Sequence, residues 1–218
     1  LYRLLAECLE EEGLPREAIQ MVSSTDRAAI GHLLKLDELI DVVIPRGGED
    51  LIRRVVAEAR MPVLKHYKGI CHVYVDQAAD LNKASKIVVN AKCQRPGVCN
   101  AAECLLVDRT IAAEFLPSLA RLLLDRGVEI RGCEQTCALV AEARPAGPED
   151  YDTEFLDLIL AVRIVEGLDE AIQHINTHGS RHTDAIVTND LASARKFTSE
   201  VDTAAVMVNA STRFHDGF

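Results

Sequence analysis

The sequence predicts an α/β fold built on a parallel sheet, and three observations predict it. Short β-branched runs alternate along the chain with stretches of helical period. Several of those runs, such as Leu39 to Ile44, are continuously apolar, as strands buried on both faces must be. With 218 residues, 48% of them hydrophobic and 27% charged, the chain is large enough for a sizeable core and has the composition of an ordinary globular protein.

Taken in order, Leu1 to Glu12 reads as a helix with Leu4, Leu5 and Cys8 on one face, ended by Gly13-Leu14-Pro15. Ala18 to Val22 reads as a short strand, and Thr25 or Asp26 as the cap of a helix running to Leu36. The strand Leu39 to Ile44 meets the turn Pro45-Arg46-Gly47-Gly48, after which Leu51, Ile52, Val55 and Val56 form a helical stripe. Strand, glycine turn and helix together aim backbone N–H groups at an anion or cofactor. On spacing alone a Gly-Gly pair is a weak signal, and a tight turn without a ligand is the plainer reading. Pro62 to Leu64 and Ile70 to Val75 are the next strands, followed by a helix with Leu81, Ala84 and Val88 on one face. Further strands are expected at 104–107, 128–130, 158–162, 185–187 and 204–208, with helices at 110–126, 168–177 and 191–200 between them. Pro145-Ala146-Gly147-Pro148 reads as a surface loop, and no internal repeat or low-complexity segment is present.

A formal net charge of -10 argues against nucleic-acid or anionic-membrane partners, although a local arginine cluster can still hold a small anion. No apolar run approaches the roughly 18 residues that span a bilayer, and no signal peptide is visible, so a cytoplasmic location is expected. The seven cysteines are an odd number without a secretory signal, which predicts reduced thiols. None forms a C-x-x-C pair, and Gly179 interrupts the series His174, His178, His182, so no metal site is expected.

The stretch richest in chemistry runs from Gln94 to Glu103. Pro96 and Gly97 break the preceding helix and force a turn just before Cys99. A thiol on such a turn has backbone N–H groups around it and Arg95 four residues upstream. Both favour the thiolate, which is the nucleophilic form. The alternative is a small packing cysteine in a loop.

The surrounding motifs decide between these. Val43 to Gly48, Cys71 to Asp76, Asn90-Ala91-Lys92, Gln94 to Asn100, and Val208 to Phe214 occur in that order. As a set, covering essentially the whole chain, they closely resemble the gamma-glutamyl phosphate reductase family of the aldehyde dehydrogenase superfamily. The resemblance implies an aldehyde dehydrogenase-like fold: residues 1–69 the later part of an NADP-binding, Rossmann-like domain, and residues 70–218 a parallel-sheet catalytic domain. The chain starts without Met and inside a helix, so the resemblance also implies further family segments before Leu1 and after Phe218.

By the same resemblance, Cys99 is the catalytic nucleophile in NADPH-dependent reduction of L-glutamyl 5-phosphate to L-glutamate 5-semialdehyde, a step of proline biosynthesis. Arg46, Gly47 and Gly48 would lie at the nicotinamide end of the cofactor, with Glu154 and Phe155 at its ribose. Arg95 and Asn100 beside the nucleophile, and Asn209, Ser211, Thr212 and Arg213 in an anchor loop, would bind the substrate. Arg213 is the cation expected to hold its carboxylate or phosphate. A homo-oligomer and glutamate 5-kinase are the implied protein partners. Aldehyde-oxidising members of the superfamily carry a Glu-Leu-Gly-Gly-Lys segment whose glutamate activates water. Here the stretch is His66-Tyr67-Lys68-Gly69-Ile70-Cys71, without a carboxylate. A reductive enzyme would lose its thioester to water if it kept that base. His66 reads as a loop histidine before it reads as a proton donor. The competing readings are an aldehyde-oxidising dehydrogenase and an inactive portion of the same fold.

Overall fold

A computed structural model of the protein describes residues 1–65 and 67–216. The chain divides into two compact units, Leu1–Tyr67 and Lys68–Phe218. The first unit contains α1 (Tyr2–Glu11), a 3-10 turn (Arg16–Ala18), α2 (Ala28–Leu33) and α3 (Glu49–Glu58). In α1 the expected face is wrong: Leu4, Leu5 and Cys8 are exposed, and Ala6 is the buried residue, flanked by half-buried Tyr2 and Leu9. That stripe also follows the helical period, so the pattern alone fitted two faces. The strand expected at Ala18 to Val22 is absent, and Ala18 closes the 3-10 turn instead. The helix expected from Thr25 or Asp26 to Leu36 is the shorter α2, although Asp26 does accept from the Ala28 N–H at 2.9 Å.

Leu39 to Ile44 and Pro62 to Leu64 are not strands of a sheet either. They meet in one parallel bridge, with the Val43 N–H donating to Pro62 and the Leu64 N–H to Val43, both at 2.9 Å. Leu39, Val42 and Ile44 are exposed, because a single bridge offers no neighbouring strand to cover both faces. The stripe on α3 holds better: Ile52 and Val55 are buried, and Arg53 and Arg54 pair with Glu49 and Glu58 on the outer side.

In the second unit, the described residues form a seven-stranded parallel sheet in the order β4-β3-β5-β2-β1-β6-β7. The strands are β1 (Cys71–Val75), β2 (Ala102–Asp108), β3 (Glu129–Gly132), β4 (Arg144–Pro145), β5 (Ile159–Val165), β6 (Thr183–Val187) and β7 (Ala205–Val208). The helices are α4 (Leu81–Cys93), α5 (Arg109–Leu124), α6 (Glu134–Leu139), α7 (Leu168–His178) and α8 (Leu191–Glu200). Every residue of β1, β2 and β6 is buried, as central strands covered on both faces require. Val73, Val75, Leu105 and Val107 pack under α4 and α5, while Tyr74, Cys104 and Leu106 pack under α7 and α8. Three aspartates start the helices that return the chain: Asp80 accepts from Lys83 N–H, Asp108 from Thr110 N–H and Asp190 from Ser193 N–H.

Two elements here are not predicted. Helix α6 is only six residues, and β4 pairs Arg144 and Pro145 with the sheet where a loop was expected. Its edge position is one of the few a proline can take, since its missing N–H then faces away from any partner. Among the described residues no helix is long and apolar enough to cross a membrane.

Candidate active site

Strands β1 and β2 begin side by side, with Cys71 opposite Ala102. The segments leading into them therefore approach each other, and one carries Cys99. Helix α4 ends at Cys93, where the Gln94 N–H makes its last bond to Asn90, and Pro96-Gly97 redirects the chain. A turn closed by the Ala101 N–H on Val98 C=O, at 3.0 Å, then presents Cys99 at the surface.

The backbone of this turn is held from below by Gly69. A Cβ on Gly69 would stand 1.8 Å from the Cys99 carbonyl oxygen and 2.6 Å from its Cα. No side chain is tolerated there without moving the Cys99 peptide. The Gly69 N–H donates to Glu154 Oε1 at 2.8 Å, which fixes the supporting strand in turn. Cys71 lies beneath as well, with its Sγ 3.3 Å from the Cys99 carbonyl. Burial, followed by the charge of Asp184, pushes the Cys71 thiol well above its ordinary range. It therefore remains a thiol that donates to the turn.

Downstream of the turn, Glu103 is buried in β2 and forms a 2.6 Å ion pair with Lys92 of α4, both side chains being at most 1% exposed. Its second oxygen accepts from the Leu156 N–H at 3.2 Å. Glu103 thus joins the helix before Cys99, the strand after it, and the segment carrying Glu154. Burial is the largest influence on both partners, raising the Glu103 carboxyl to about 7 and lowering the Lys92 ammonium, while their mutual attraction opposes both shifts.

A second set of contacts ties the 3-10 turn Thr212–Asp216 to the same loop. The Arg213 guanidinium donates to Gln94 Oε1 at 2.9 Å and to Asn100 Oδ1, and the Thr212 hydroxyl donates to the Asn100 carbonyl at 2.7 Å. Ser211, Thr212 and Arg213, expected in a substrate-binding anchor loop, are engaged in hydrogen bonds within the protein here. Ser211 and Thr212 are buried, and Ser211 Oγ accepts from the Arg213 N–H. Asn100 is also buried, whereas Arg95 is exposed near the turn. Asn209, at φ 55°, makes paired hydrogen bonds to the Thr188 backbone. Phe155 lies half-buried under the Arg131 guanidinium, 5.1 Å from the ring centre.

In the other unit, Arg46, Gly47 and Gly48 are exposed at the start of α3. His66 lies outside the described residues. Lys92, Glu103, Gly69 and Cys71 lie within the sequence motifs without a role predicted for them. The signal available was an unexplained Lys and Glu inside apolar elements, since buried charges are found paired.

The sequence model of the Aldehyde dehydrogenase family matches residues 2–129. The chain belongs to the aldehyde dehydrogenase family. Within it, gamma-glutamyl phosphate reductase of Desulfatibacillum aliphaticivorans is 56% identical over 217 residues, covering 100% of this chain and 52% of that relative. The crystal structure of gamma-glutamyl phosphate reductase from Thermotoga maritima is 47% identical with a TM-score of 0.92, covering 99% of this chain and 52% of that one. A more distant aldehyde dehydrogenase-like structure, glyceraldehyde-3-phosphate dehydrogenase from Methanocaldococcus jannaschii complexed with NADP, shares the fold. It is 16% identical with a TM-score of 0.76, over 97% of this chain and 55% of that one. The chain thus spans about half the length of the relatives it matches, 52% for the first two.

Proposed function

We propose that this protein acts in NADPH-dependent reduction of L-glutamyl 5-phosphate to L-glutamate 5-semialdehyde and phosphate, the proline-biosynthetic reaction, with Cys99 as nucleophile. The observation carrying this reading is the Cys99 turn itself: an exposed thiol whose backbone is seated on Gly69 and Cys71. The identity to gamma-glutamyl phosphate reductases supports the choice of substrate.

In the proposed reaction the Cys99 thiolate attacks the acyl carbon. The carbon–oxygen bond to phosphate breaks, phosphate leaves with the electron pair, and a thioester remains on Cys99. NADPH, when bound, supplies the hydride that reduces this thioester. The chain's remaining task is to release the aldehyde from the resulting thiohemiacetal and recover the thiolate. Arg95, exposed beside the turn, is the cation proposed to meet the anionic substrate, while Arg213 positions the loop through Gln94 and Asn100.

The residues present fit the nicotinamide end of NADP(H). A Cβ at Gly48 would meet nothing within 4 Å, so the space beside Gly48 is open, whereas a Cβ at Gly47 would meet Leu51 at 2.8 Å. Glu49 and Asp50 in the first turn of α3 disfavour a pyrophosphate there and suit an uncharged ring. Glu154 and Phe155 would hold the ribose, with Glu154 Oε1 already engaged by Gly69. A cytoplasmic homo-oligomer that meets glutamate 5-kinase completes the proposal.

The rival reading, an aldehyde-oxidising dehydrogenase, differs in one measurable requirement. Run in reverse with glutamate 5-semialdehyde and NADP+, an acyl phosphate reductase forms at most one NADPH per site until phosphate is present to take the acyl group. Sustained NADPH formation without phosphate, beyond one equivalent per site, favours the hydrolytic enzyme and overturns the proposal.

A further inference from the structure

On the face of the sheet covered by α7, three potential metal ligands meet in the core. His72 of β1 and Cys104 of β2 are directly opposed partners in the strand register, and His174 of α7 lies over them. The two histidines and the cysteine are 0%, 5% and 1% exposed, and their ligand atoms lie within 4.8 Å of one another. Cys104 Sγ stands 3.7 Å from His174 Nε2. Zinc–sulfur and zinc–nitrogen bonds of about 2.3 and 2.0–2.1 Å at tetrahedral angles put S and N about 3.5 Å apart, so this edge already has the required length.

Two independent features point to a ligand. His72 Nε2 is a buried nitrogen without a hydrogen-bond partner, and so is one oxygen of Asp184. The other Asp184 oxygen receives His72 Nδ1 at 2.9 Å and the His72 backbone N–H at 2.8 Å. A carboxylate behind a histidine, fixing the ring so that its far nitrogen faces inward, is the outer-sphere arrangement that metal-binding histidines need.

The geometry points to a binding site for a borderline-soft transition-metal ion, Zn2+ being the representative, formed by His72, Cys104 and His174. Two nitrogens and one sulfur exclude magnesium and calcium, which take oxygen ligands. A cleft of about 240 Å³ lined by Arg163, Glu170, Gln173, His174, Thr177 and His178 lies next to His174. Distance along the chain hides the site, because Cys104 and His174 are 70 residues apart.

The test uses the Cys8→Ser/Cys99→Ala protein, so that the two exposed thiols contribute nothing. After treatment with a chelator, Zn2+ is titrated in competition with a chromophoric chelator, and Co2+ is added separately as an optical probe. One equivalent should bind, and the cobalt form should show thiolate charge transfer in the near ultraviolet with the intense visible bands of tetrahedral coordination. Asp184→Asn should weaken binding by about 10- to 100-fold, and Cys104→Ser and His174→Gln should abolish the charge-transfer band or the tetrahedral spectrum. No saturable equivalent, or a cobalt spectrum without thiolate charge transfer, overturns the site. If a variant fails to fold, the Cys8→Ser/Cys99→Ala cobalt spectrum alone decides.

Discussion

The Lys92–Glu103 pair is where the architecture around Cys99 can be tested energetically. At 2.6 Å and an effective dielectric of about 20, the Coulomb attraction is about 6 kcal/mol, against a desolvation cost of several kcal/mol for each ion. The intact pair should therefore contribute little net stability, while removing one partner strands the other. Glu103→Gln should cost about 3–5 kcal/mol, because Lys92 is left fully buried opposite a neutral amide. Glutamine can still accept from the Leu156 N–H, so that bond does not confuse the result. The double variant Lys92→Met/Glu103→Gln should recover to within about 1–2 kcal/mol of the unmodified protein.

Lys92→Met has a pH signature. Glu103 already titrates at about 7 in the fold, above its ordinary 4.5, so its protonated form is favoured there. A raised carboxyl contributes stability that is present below its unfolded value and lost as pH rises through its folded value. Without the cation the folded value rises further, so Lys92→Met should be less destabilised at pH 6 than at pH 8. Urea unfolding followed by circular dichroism, with a double-mutant cycle, measures all of these. A Glu103→Gln cost below about 1 kcal/mol, or additive single costs, refutes the reasoning.

Three further outcomes are expected. Gly69→Ala should destabilise by about 1–3 kcal/mol and lower turnover by about a hundredfold or more, since its methyl group must displace the Cys99 peptide; full turnover would remove Gly69 as a positioning residue. Glu154→Gln should slow NADPH consumption more than single-turnover phosphate release if the carboxylate holds the ribose, and equal slowing would confine it to bracing Gly69. Arg213→Lys cannot hold Gln94 and Asn100 together, so kcat/KM for the acyl phosphate or semialdehyde should fall about ten- to a hundredfold with KM for NADP(H) unchanged. Unchanged kcat/KM in that variant would detach Arg213 from the site.

The second unit was largely legible because its signals are local. The apolar runs of β1 and β2, the stripe of α4 and the break at Pro96-Gly97 each follow from residues within a few positions of one another. Leu39 to Ile44 carries the same apolar signal yet makes one bridge, since a strand also needs neighbours that its own sequence does not describe. Arg144-Pro145 failed in the opposite direction, because its pairing depends on an edge position set by the whole sheet. Within the site, Cys99 was legible from its turn. Gly69 was not, because its role is a close approach to a backbone 30 residues away in the chain. Arg213 is read as a ligand-binding cation from its place in the anchor loop, and its hydrogen bonds to Gln94 and Asn100, distant in the chain, are visible only in the structure.

The central claim is that Cys99 alone carries the acyl group. Glutamate 5-semialdehyde and NADP+ mixed without phosphate should leave the oxidised acyl group on the enzyme, and acid quench followed by peptide mass spectrometry locates it. The account predicts a glutamyl adduct on the peptide containing Cys99, absent in Cys99→Ala and released by added phosphate. An adduct on Cys71 or Cys93, or sustained NADPH formation by Cys99→Ala, would contradict it.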